Sequence, residues 1–163
     1  MIRRIFGAAS ELQDVVKIIY LEDYSMEIGK LICSGVDLWL NNPQRPLEAS
    51  GTSGMKAALN GVPSLSIRDG WWSEGHIEGV TGWSIESPEG NEINPFFEAS
   101  SLYHKLEHVI LPMFYNRPDD YAGIMRSAIY LNGSFFNTHR MILQYRDNAY
   151  NQVSSVSRVA QIV

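Results

Sequence analysis

Residues 48–61 read Glu48-Ala49-Ser50-Gly51-Thr52-Ser53-Gly54-Met55-Lys56-Ala57-Ala58-Leu59-Asn60-Gly61, and the order of residue types here decides how the chain is read. Small and hydroxylated residues run through Gly51-Thr52-Ser53-Gly54, and good helix formers follow from Met55 to Leu59. Ser50 and Thr52 are both candidate N-caps, and Asn60-Gly61 is a stop signal. A glycine-rich loop feeding a helix leaves backbone N–H groups and the positive dipole end facing outward, which suits a phosphate. Lys56 follows within about the first turn, as a candidate amine nucleophile that forms a Schiff base. A phosphate cradle beside an amine is what pyridoxal phosphate requires. The plain alternative is a loop before a helix of the kind common in α/β proteins, with an ordinary surface lysine. No G-x-x-x-x-G-K-[ST] is present, so the loop is not a Walker A.

Working outward, Val15 to Leu21 is rich in β-branched residues and reads as a buried parallel strand. Glu22 to Ser25 is a loop, Met26 to Cys33 a helix, Val36 to Leu40 a second strand, and Pro63 to Ile67 a third. Alternating strands and helices with short connections imply an α/β fold with a doubly wound parallel sheet. Ligands of such sheets bind beyond the carboxyl ends of the strands. Tyr24-Ser25, the loop from Glu48 to Gly54 and Asp69-Gly70 all follow strands in this reading, so they are expected to converge on one edge.

The run Arg45-Pro46-Leu47, the stretch from Glu48 to Gly61, and Asp69-Gly70-Trp71-Trp72 together resemble the α-glucan (glycogen or maltodextrin) phosphorylases, in their shorter bacterial and archaeal branch. The resemblance covers about Val16 to Tyr150. It implies the Rossmann-like, carboxy-terminal part of a GT-B catalytic domain, with pyridoxal 5′-phosphate carried by Lys56. It further implies that Thr52, Gly51 and Ser53 lie at the cofactor, with Tyr24 and Ser25 beside it. Glu48, Ser50 and Gly51 are implied at the glucosyl pocket, and Lys56 and Glu48 as catalytic. The implied activity is reversible phosphorolysis of α-1,4-glucan, with α-glucan, phosphate and glucose 1-phosphate as partners. Ser25 stands where the animal and plant branch has an arginine, and Ser53-Gly54 replace its Gly-Asn. Both departures fit the shorter branch.

Measured against that family, the chain begins within the second Rossmann-like domain. The amino-terminal wall of the cleft and the basic residues that grip substrate phosphate then lie outside this stretch, and an amino-terminal partner chain is one source for them, the chain being otherwise an excised domain or a relic. Within this chain, Arg45 and Arg68 are candidates for phosphate contact by position alone. A non-catalytic cofactor- or sugar-binding fragment, or a subunit of a split enzyme, is the alternative reading. Two further readings compete locally. Trp71-Trp72 with Glu74 suits either a sugar platform or packing against a core edge. His104-Lys105-Leu106-Glu107-His108 matches H-x-x-E-H, an inverted zinc-peptidase pattern, but no glutamate follows Glu107 to complete the ligand set, and no metal site is expected.

The last third is expected to be helical, with a stripe of Leu102, Leu106, Val109 and Ile110. A new helix should open at Asp119-Asp120 after Pro118, and Gly133-Ser134 should interrupt the next one. The expected organisation is a cofactor-binding domain over residues 1–150, its sheet part about 1–98 and its helical part about 99–150, then a tail over 151–163. A chain of 163 residues with net charge −5 is long enough for a core and gives no electrostatic reason for nucleic acid or an anionic membrane. The one cysteine, Cys33, excludes an internal disulfide and reads as a buried thiol in a cytoplasmic protein. Ile2 to Ala9 is too short and too soon followed by acids to be an export signal. The sequence leaves a homo-oligomer open.

Overall fold

A computed structural model describes residues 2–86 and 94–151. The expected tail beyond Asn151, and most of the stretch from Pro88 to Pro95, whose polar sequence reads as a loop, lie outside the described residues. The chain divides into two compact units, residues 1–31 and 32–163.

In the first unit, α1 (Ile2–Glu11) covers residues 2–10, which the sequence also presents as a short helix. Val15 to Leu21 is not a strand, contrary to expectation. A β-branched run becomes a strand only where a neighbour completes its hydrogen-bond ladder. The other regular segments of this unit are α1 and the start of α2 (Met26–Gly35), and neither supplies an edge. Val15 is accordingly 83% exposed and Ile19 63%. Ser25 opens α2, its Oγ accepting the Ile28 N–H at 3.2 Å, as an N-cap hydroxyl does.

The second unit holds a parallel sheet of β1 (Trp39–Asn41), β2 (Ser64–Ile67) and β3 (Gly82–Ile85), in the order β1-β2-β3. Leu65 lies opposite Trp83 and Ile67 opposite Ile85. Because side chains alternate across a strand, these four large residues share one face. Ser64, Ser66, Gly82 and Ser84 share the other. The large face carries the core: Leu65, Ile67, Trp83 and Ile85 pack with Ile110, Tyr121 and Ile124, flanked by Leu102, Leu106 and Val109. Each fully buried aliphatic side chain of this kind stabilises the fold by about 1.5–3 kcal/mol. The small face admits close neighbours, and a Cβ on Gly82 would lie 2.9 Å from the Trp72 ring.

Helices connect and follow the strands: α3 (Thr52–Leu59), α4 (Trp72–Gly75), α5 (Pro95–His104), α6 (Leu111–Asn116), α7 (Pro118–Ser127) and α8 (Thr138–Tyr145). Asp119 and Asp120 fall in the first turn of α7 with Pro118 at its start, as expected. The expected stripe Leu102-Leu106-Val109-Ile110 does face the core, but the helix carrying it widens to π geometry over Lys105–Ile110. Pro112 has no N–H to offer the His108 carbonyl, which favours such a widening. The same widening occurs at Ala128–Gly133, and a bend at Asn137 then starts α8, where Asn137 Oδ1 accepts the Arg140 N–H at 3.0 Å. The α/β class with a parallel sheet followed by helices therefore stands. Among the described residues, no helix is long and apolar enough to cross a membrane.

Candidate active site

The site is built where β1 and β2 run out. The chain leaving β1 reaches Glu48, and the chain leaving β2 reaches Asp69. Asp69 clamps the two: Oδ2 accepts the Glu48 N–H at 2.9 Å, and Oδ1 accepts the Gly70 N–H at 2.9 Å. The Trp71 N–H then donates to the Ser50 carbonyl at 2.7 Å. Gly70 is needed because φ is +52° and a Cβ there would lie 2.6 Å from the Ser50 oxygen. The expected convergence of the Glu48–Gly54 loop with Asp69-Gly70 is thus observed, through backbone bonds to one carboxylate.

The helix start differs from expectation. Neither Ser50 nor Thr52 caps α3; the cap is Gly51, in left-handed geometry at φ +86°, with no side chain bonded to the helix end. Thr52 and Ser53 are the first two helical residues, so their N–H groups have no acceptor within the helix. An uncapped helix start of this kind favours an anion. Thr52 and Lys56 are exposed and one turn apart on the same helix face. Both line a cleft of about 610 Å³ with Ser50, Phe136, Thr138 and Arg140.

That second wall escaped the sequence reading. It comes from the bend before α8, some eighty positions downstream in the chain. The available local signal was Asn137-Thr138 as a helix start, which marks the bend and not its neighbour. Arg140 is held there by stacking its guanidinium 3.7 Å over the Phe135 ring and donating to Gln144 at 2.7 Å.

Trp71 and Trp72 are packed, not displayed: they are 5% and 1% exposed, which overturns the sugar-platform reading. A Cβ on Gly54 would lie 2.8 Å from the Trp71 indole nitrogen, and one on Gly51 3.0 Å from its ring. The indole thus sits against the glycines of the loop. Edge-on contact of Trp71 with Phe136, centroids 5.3 Å apart, ties this packing to the far wall. Cys33 is buried, as expected, with Sγ toward the Ser53 carbonyl at 4.0 Å. His104 and His108 lie on one helical run with ring centroids 5.0 Å apart and planes tilted by 58°. Among the described residues, no group of three His, Cys, Asp or Glu side chains is placed to hold a metal ion. Tyr24 and Ser25 lie in the first unit, where Tyr24 packs against Gly29.

Residues 2–74 match the family model described as carbohydrate phosphorylase. Over 155 residues the chain is 43% identical to the maltodextrin phosphorylase of Thermococcus litoralis, covering 93% of this chain and 18% of that protein. It is 38% identical to the glycogen phosphorylase of Aquifex aeolicus, covering 94% and 23%. The chain is related to the carbohydrate phosphorylases. The glycogen phosphorylase of Mycobacterium tuberculosis shares 39% identity, covering 92% of this chain and 18% of that phosphorylase. The chain therefore spans about a fifth of the length of these phosphorylases. In structure it resembles Anabaena Alr3699/HepE, solved in complex with UDP-glucose, with a TM-score of 0.65 over 94% of this chain and 36% of that one. At 16% identity, that likeness concerns the fold alone.

Proposed function

We propose that this chain forms the cofactor-holding side of a glucan phosphorylase active site, for reversible phosphorolysis of an α-1,4-glucan to glucose 1-phosphate. The observation that carries the reading is the uncapped start of α3 with Thr52 and Lys56 on one face of an open cleft. Pyridoxal 5′-phosphate fits these residues. The Thr52 hydroxyl and the N–H groups of Thr52 and Ser53 would hold its phosphate, and the Lys56 amine would hold its aldehyde. When bound, that phosphate supplies a proton donor and acceptor near neutrality, since its second pKa is near ~6.

Glu48 and Ser50 would bind sugar hydroxyls and orient the ring, a role that depends on their being held in place. Asp69 provides that hold on Glu48, and the Trp71 N–H provides it on Ser50. Gly51 lets the backbone approach closely. Tyr24 and Ser25 are proposed beside the cofactor on the strength of the family resemblance. We further infer, from the family resemblance, that turnover needs the residues of an amino-terminal segment; the chain spans about a fifth of the length of its relatives.

Adding pyridoxal phosphate to the chain should give the absorbance band of a lysine-bound pyridoxal, and borohydride trapping with peptide mapping should label Lys56. Lys56→Ala should abolish both. Labelling of a different lysine would sink the assignment. Glucose 1-phosphate release should appear only when an amino-terminal partner segment is supplied.

A further inference from the structure

A second cavity, of about 340 Å³, shares no lining residue with the Lys56 cleft. It lies at the carboxyl ends of the strands, where α/β sheets take their ligands. Arg68 directly follows β2, Glu86 directly follows β3, and Arg45 lies in the connection after β1. Lys105, His76 and Glu78 also line it.

One side of this cavity is fixed. Glu78 Oε1 accepts from Lys105 Nζ at 2.6 Å, while Oε2 lies 2.8 Å from His76 Nε2 and accepts the Ser84 N–H at 2.9 Å. The Lys105 and His76 side chains are 16% and 10% exposed, so both are anchored against the sheet. Glu78 is occupied by these donors and neutralises Lys105. Arg45 and Arg68 have no ion pair or side-chain hydrogen bond among the described residues. They come from separate loops and line the same cavity, where Glu86 is the one other carboxylate among the described residues.

Two guanidinium forks with no partner suit a ligand that carries more than one negative charge on several oxygens. A phosphate group has that chemistry, at about −1.5 to −2 near neutrality. The volume lies at the lower end of the range for small-molecule sites, about 300–1,000 Å³, so there is space for a small organic group beyond the phosphate. We propose that the cavity between Arg45 and Arg68 binds a phosphate group, free or as a monoester, separately from the cleft at Lys56. This site does not depend on Lys56 carrying a cofactor.

The test uses the full chain without added cofactor, at constant ionic strength in chloride. Inorganic phosphate and glucose 1-phosphate are titrated in turn, following the amide resonances of Ser84 and Glu86 and the heat of binding. The expected result is saturable binding that moves these amides. The double variant Arg45→Gln/Arg68→Gln should weaken it at least tenfold, while Lys56→Ala leaves it unchanged. Both arginines are exposed and partnerless among the described residues, and thermal unfolding verifies that the double variant remains folded. Tighter binding of glucose 1-phosphate would identify a monoester as the occupant, and equal or weaker binding would identify free phosphate. The proposal is overturned by absence of saturable binding, by undiminished binding in the double variant, or by loss of binding in Lys56→Ala.

Discussion

The carboxylate of Asp69 receives the backbone N–H of Glu48 at 2.9 Å, so a residue after one strand fixes the loop that follows another. Removing it with Asp69→Ala takes away two charge-assisted bonds, including that from Gly70. The expected cost is roughly 1.5–3 kcal/mol of stability, read by denaturant unfolding. Pyridoxal phosphate loading should fall with it. Full stability and loading in this variant would show that the loop is held by other contacts.

Gly70→Ala tests the same junction from the backbone. The substitution puts a Cβ 2.6 Å from the Ser50 carbonyl at a φ of +52°, so both strain and collision oppose it. A loss of about 1–3 kcal/mol is expected, with the Trp71-to-Ser50 bond lengthened or broken. A crystal structure of the variant with that bond intact at its present 2.7 Å would contradict this.

Glu78 governs part of the acid limb. Desolvation raises its pKa, but bonds from His76, Lys105 and the Ser84 N–H, with the Lys105 charge, bring it down from 4.5 to about 2. A carboxyl depressed in the folded state contributes stability that is full above its unfolded value and is lost as pH falls toward the folded one. The loss should therefore run between pH 4.5 and about 2. Because the side chain is 44% exposed, solvent screening makes it a modest effect. Glu78→Gln should flatten the slope of stability against pH in that window; an unchanged slope would assign the effect to other acids.

Tyr121 anchors the helices to the chain entering β1. Its hydroxyl donates to the Asp37 carbonyl at 2.6 Å, and burial, aided by the Asp37 charge, pushes its pKa up to about 12. Tyr121→Phe should lose about 0.5–1.5 kcal/mol. The folded state holds this proton more tightly than the unfolded state, so wild-type stability should decline as pH rises from 10 toward 12. The variant should lack that component, and identical alkaline profiles would refute it.

Features carried by local chemistry were legible in the sequence. Pro118 with Asp119-Asp120 marked a helix start, Asn60-Gly61 marked an end, and the alternation of serine with an aliphatic residue from Ser64 to Ile67 lay within a segment read as a strand. Features that depend on a distant partner were not. Val15 to Leu21 has strand composition but no adjoining ladder within its unit, and composition cannot supply one. The pairing of Trp71-Trp72 admitted both burial and display, because the choice rests on which small residues lie against the rings. Here Gly51, Gly54 and Gly75 do so. The candidate site was half readable: its loop announced itself through glycines and hydroxyls. Its opposite wall at Phe136 to Arg140 depends on helix packing that no nearby residue encodes.

The indole of Trp71 also limits how this protein can vary. Its ring touches Gly51 and Gly54 on one flank and Gly75 and Phe136 on another, so any added bulk at one of these positions must be matched by trimming at its neighbour. Gly54→Ala alone should therefore be tolerated poorly, whereas Gly54→Ala joined to Trp71→Phe should recover much of the loss. Loop and ring would then be inherited as a set, changing together or not at all.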